Sequence, residues 1–150
     1  MNQIIITSIL SSLVTAVFAA FAFLFTQIYF KYYQDFRSLR GRTATLLTLY
    51  ASSFSNPLDL AKTLNHELPK SYIEASIELR KLASDWRGFM EVKPKMLLKP
   101  TKKLCVIISK NLIGLSNGMN CPYNSSCYGT IEGNIKYVKT IIETLEFYEE

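Results

Sequence analysis

Positive charge is concentrated between residues 80 and 110, where Arg80, Lys81, Arg87, Lys93, Lys95, Lys99, Lys102, Lys103 and Lys110 stand against only Asp85 and Glu91. Such side chains do no covalent chemistry as a set. They hold anions, and the partners this polarity implies are lipid headgroups or a phosphorylated ligand. The C-terminus has the opposite sign, with Glu132, Glu143, Glu146, Glu149 and Glu150, inside a net charge of +5.

No catalytic constellation accompanies the basic stretch, and the chain is not read as an enzyme. Its one histidine, His66, lies in a polar turn beside Glu67 and Pro69 without a cysteine or serine elbow to activate. The acids are scattered rather than paired for general acid-base work. Cys121 and Cys127 with His66 match none of the standard zinc spacings, so neither a metal nor another cofactor is expected. GLSNG at 114–118 closes a helix and lacks the strand-loop-helix setting of a phosphate loop. Three cysteines, Cys105 being the third, make an odd count that argues for a reduced domain. The sequon Asn124-Ser125-Ser126 then carries no glycan.

The element that positions this domain comes first in the chain. Residues 4–30, IIITSILSSLVTAVFAAFAFLFTQIYF, contain no charge; as a helix they reach about 40 Å, beyond the roughly 30 Å hydrocarbon core of a bilayer. A retained transmembrane helix is expected rather than a signal peptide. MNQ lacks Lys and Arg, and Phe23, Phe25, Tyr29 and Phe30 continue the run past the cleavage-like Ala20-Phe21-Ala22. Lys31, Arg37, Arg40 and Arg42 follow it against Asp35, which puts the C-terminal side in the cytoplasm. Ser8, Ser12, Thr15, Ala19, Ala22 and Thr26 form a seam at alternating four- and three-residue spacing, suited to helix association in lipid. A pore lined by the seam would lack a ring of charge.

The pattern beyond is all-α: a transmembrane helix (1–30), a juxtamembrane helical extension (31–55) and a small cytosolic helical domain (56–150). Phe36, Leu39, Thr43, Leu46, Leu47, Tyr50 and Phe54 continue helical spacing to about Ser55, with Gly41 as a candidate kink. Asn56 and Pro57 open a short helix to about Leu64. Ser71 and Glu74 form a capping box for a helix to about Met90, with Ala75, Leu79, Leu82, Trp86 and Phe89 as its stripe. Two prolines break the basic stretch at 91–103. A further helix has Leu104, Ile108, Leu112 and Leu115 on its apolar edge and stops at Asn117-Gly118. The segment 119–128 reads as an exposed connection. The last helix, about 130–147, carries Ile131, Ile135, Val138, Ile142 and Leu145.

Three segments, YASSFSNP at 50–57, LRKLASDWRGF at 79–89 and LIGLSNG at 112–118, together with the layout, resemble small bacterial proteins with one N-terminal membrane helix and a compact helical cytosolic domain. Within that group the chain looks like the membrane-anchored accessory effectors of type III CRISPR systems. The resemblance implies an antiviral protein of the inner membrane, N-terminus periplasmic and C-terminal domain cytoplasmic. It also implies a homo-oligomer, as a tetramer, that binds cyclic tetra-adenylate and then disrupts the membrane, with no long nucleic acid as partner. The phosphates of such a ligand would fall to Lys93, Lys95, Lys99, Lys102 and Lys103, with Arg80 and Arg87 behind them. Tyr123 and Tyr128 are the candidates for adenine stacking. The alternative is an anchored interaction or structural module whose basic surface meets an acidic protein or anionic lipid.

Overall fold

An uncharged run of this length can satisfy its backbone within itself only as a helix, and the chain begins that way. The computed structural model describes residues 2–59, 69–92, 102–121 and 128–146. Helix α1 is Asn2–Phe25, a single π turn occupies Thr26–Phe30, and α2 is Lys31–Leu49. There follow α3 at Ala51–Ser55, β1 at Leu58–Asp59, α4 at Lys70–Val92, α5 at Lys102–Asn117, β2 at Asn120–Cys121 and α6 at Tyr128–Glu146. The chain divides into two compact units, Met1–Phe36 and Arg37–Glu150. The fold is all-α apart from the two-residue parallel pairing of β1 with β2.

In the first unit the helix is long and apolar enough to cross a membrane, and none of its apolar window is buried within the chain. Three hydroxyls of the seam bond back to their own helix: Ser12 Oγ donates to the Ser8 carbonyl at 2.8 Å, Thr15 Oγ1 to Ser11 at 2.9 Å and Thr26 Oγ1 to Ala22 at 2.7 Å. The last of these stands at the start of the π turn, where a hydroxyl competing for a ladder carbonyl loosens the winding. Phe25 and Tyr29 stack across that turn with ring centroids 5.0 Å apart. Departure from α geometry thus falls at Thr26–Phe30. Gly41, the expected kink, lies inside α2 without a break.

The second unit is built on α4. Ala75, Leu79, Leu82, Trp86 and Phe89 are buried, as their seven-residue rhythm predicts, and Ala83 joins them. Facing them, α5 buries Leu104, Ile108, Leu112 and Leu115. Leu39, Thr43 and Leu47 of α2 and Phe54 of α3 complete the core with Met119. Cys105 is buried, the behaviour of a small apolar residue.

Five expectations are corrected. The connection after α5 is not exposed from its start, because Met119 is buried and Asn120–Cys121 pairs as β2; residues 122–127 lie outside the described residues. The first helix does not run unbroken to Ser55, because it turns at Tyr50 before α3. Asn56-Pro57 does not start a helix: Leu58 N–H donates to the Met119 carbonyl at 3.2 Å and its segment pairs as β1. Ser71 and Glu74 make no capping box, since α4 already begins at Lys70. The amides of Tyr72 and Ile73 find the Pro69 carbonyl there, at 2.9 and 3.3 Å. Finally, the inward face of α6 is turned from the expected stripe. Leu145 is buried as expected, at 9% exposed, but Ile135 and Ile142 are 58% and 42% exposed and Ile141, at 0%, stands inward instead.

Asn134 explains that rotation. It is buried, and its Nδ2 donates to the Phe54 carbonyl at 2.7 Å and the Gly118 carbonyl at 2.8 Å. Both are carbonyls at helix ends, which need donors. One amide therefore ties α3, the end of α5 and α6 together.

Candidate functional site

Helices α4 and α5 pack antiparallel, and the pairing can be read from two arginines. Arg80 Nε donates to Ser116 Oγ at 2.8 Å, and Arg87 Nε donates to Ser109 Oγ at 3.0 Å. Seven residues forward along α4 therefore matches seven residues back along α5, two turns on each helix. Arg80 Nη2 adds a bond to Asn117 Oδ1 at 2.8 Å. Ser116 is itself fixed by α4: its Oγ lies 2.8 Å from Ser76 Oγ and 3.1 Å from the Ser76 carbonyl.

A groove of about 220 Å³ lies along this seam, lined by Arg80, Ala83, Ser84, Arg87 and Ile113. Neither arginine forms an ion pair with a described carboxylate. Three of the four acids of α4 are engaged elsewhere, Glu74 with Lys70 at 3.7 Å among them, while Glu91 is exposed near the end of the helix. Asp85 takes Arg42 at 2.7 Å, and Glu78 takes Lys81 at 2.8 Å, a hydrogen bond that raises the Lys81 ammonium above its ordinary value. A guanidinium has five N–H donors, so Arg87 keeps its terminal nitrogens and Arg80 one of its two for a guest. Neutral serine partners orient each fork without cancelling its charge, which is the condition for holding a carboxylate or phosphate.

Of the lysines proposed for an anion, Lys102 and Lys103 are exposed in the first turn of α5. Lys102 stands seven residues before Ser109, on the same side of the helix as the two serines. Lys93, Lys95, Lys99 and Tyr123 lie outside the described residues, as do His66 and Cys127. Tyr128 opens α6, and its side chain is likewise outside them. Ser109 and Ser116 were not singled out by the sequence reading. Their signal was a seven-residue spacing equal to that of Arg80 and Arg87.

A larger groove, about 390 Å³, runs along α2 and α6 between Arg40, Ala44, Leu47, Ile142 and Leu145. It is mostly apolar, and Arg37 and Arg40 at its edge hold partners of their own. The α4–α5 groove is smaller but has converging donors. Among the described residues no group of acids, cysteines and histidines could hold a metal ion.

No protein-family model matches the chain, and neither a curated protein nor a solved structure shows detectable similarity to it.

Proposed function

We propose that this chain is a membrane-anchored antiviral effector whose helical unit binds an anionic nucleotide along the α4–α5 seam. The observation that carries the proposal is the pair Arg80 and Arg87, each aligned by a serine and neither ion-paired with a described carboxylate. A basic cleft at a helix-helix seam concentrates anions and fixes phosphate oxygens through charge-assisted bonds. The apolar α1 supports the anchor, with the cytoplasmic placement of the helical unit resting on Lys31, Arg37, Arg40 and Arg42.

The resemblance supplies the ligand class, a cyclic oligoadenylate, and with it a homo-oligomer of the bacterial inner membrane in which ligand binding leads to membrane disruption. Ligand must bind one state of the assembly more tightly than the other for such gating to operate. The test is a titration of full-length protein in detergent with cyclic oligoadenylates of several ring sizes, with mass measured in parallel. Submicromolar, ring-size-selective binding that Arg80→Gln or Arg87→Gln abolishes is the expected result. Absence of binding to every ring would overturn the nucleotide reading.

A further inference from the structure

The α4–α5 groove fixes the spacing of the charges it can receive as well as their sign. Arg80 and Arg87 are two turns apart on α4, a rise of about 10 Å, and their anchors Ser116 and Ser109 are two turns apart on α5. While both Nε bonds hold, at 2.8 and 3.0 Å, the two guanidiniums cannot close on one phosphate. Between them the floor is Ala83 and Ile113, with Ser84 as the one hydroxyl. The groove, about 220 Å³, falls short of the roughly 300–1,000 Å³ that encloses a whole small ligand. It therefore accepts the uncharged stretch of a longer molecule.

We infer that the groove is a two-point site for a bis-anion whose charged groups are separated by a less polar linker spanning about two helical turns, roughly 10 Å. The inference rests on the anion-binding reading of the groove. Phosphates that are not adjacent, joined through sugar, base or alkyl, meet the requirement. Pyrophosphate, whose two phosphorus atoms share one oxygen, does not. Each guanidinium takes one anionic group, Arg87 through both terminal nitrogens and Arg80 through Nη1, while the linker covers Ile113 and Ala83.

The test uses full-length protein in detergent and alkane bisphosphonates of increasing linker length, with inorganic phosphate, pyrophosphate and a monophosphonate for comparison. Affinity should peak at the linker that places the phosphonates about 10 Å apart, at least about tenfold tighter than the monophosphonate, because the second contact becomes intramolecular. Arg80→Gln and Arg87→Gln should each return the best bisphosphonate to the monophosphonate level. Ser109→Ala frees Arg87 from its anchor and should flatten the length optimum, and an unchanged melting temperature would exclude misfolding as the cause. An affinity that ignores linker length, or is highest for pyrophosphate, would overturn the two-point site. If phosphate still binds and the arginine variants weaken it, only the spacing is wrong. If no anion binds, the anion-binding reading fails with it.

Discussion

Trp86 Nε1 donates to Thr43 Oγ1 at 3.0 Å, with both residues fully buried. The same hydroxyl donates to the Leu39 carbonyl at 2.7 Å, so Thr43 accepts from α4 while bonding its own helix. Thr43→Val keeps the shape and removes the acceptor of this buried hydrogen bond, at a cost of about 1–3 kcal/mol. For a chain of this size that lowers the melting temperature by several degrees. Circular dichroism in detergent should show the loss for Thr43→Val and near-wild-type behaviour for Thr43→Ser. Equal melting for the two would mean that the hydrogen bond contributes nothing.

Two glycine substitutions should act in opposite directions. A Cβ at Gly118 would collide with Asn134 Oδ1, so Gly118→Ala must displace the amide that bonds Phe54 and Gly118. Overpacking and two weakened buried bonds together predict a loss of about 2–4 kcal/mol. Gly88 has nothing within 4 Å of its Cβ position and sits exposed inside α4, so Gly88→Ala should stabilise by up to about 1 kcal/mol. Thermal melts of the two variants, taken side by side, check both signs.

The rotation of α6 is testable in the same way. Ile141→Ala empties a fully buried position and should cost about 2–5 kcal/mol. Ile135→Gln, at a mostly exposed position, should change stability by less than about 0.5 kcal/mol. If Ile135→Gln proved the more damaging, the exposed strip would have to be covered in the intact protein.

The anchor is checked by charge. Phe18→Arg puts a cation near the middle of α1, where translocon-mediated insertion is penalised by about 2.5–3.5 kcal/mol. Alkaline carbonate extraction of membranes should retain the wild type and release a substantial share of the variant. Wild-type chain in the carbonate-soluble fraction would remove the membrane helix from the account.

The seven-residue rhythm of α4 and the edge of α5 were legible because every position on them is apolar and every one is buried. The inward face of α6 was not, because its centre is Asn134. A count of apolar residues passes over a buried amide that has two carbonyls to donate to. β1 was missed for a related reason: Asn56-Pro57 is a good helix start, and only a partner far along the chain, Met119, claims the next amide. At the candidate site the arginines were visible as charge, but their aligners are serines, which a polar-apolar pattern reads as gaps.

Three consecutive residues of α4 leave the helix about 100° apart and reach different neighbours. Asp85 bonds Arg42, Trp86 bonds Thr43 and Arg87 bonds Ser109. A single-residue deletion just before Asp85 would swing all three by that angle, so the groove and the attachment of α2 would be lost together. Neither could drift in register while the other was kept, and this stretch of α4 should tolerate changes of side chain far better than changes of length.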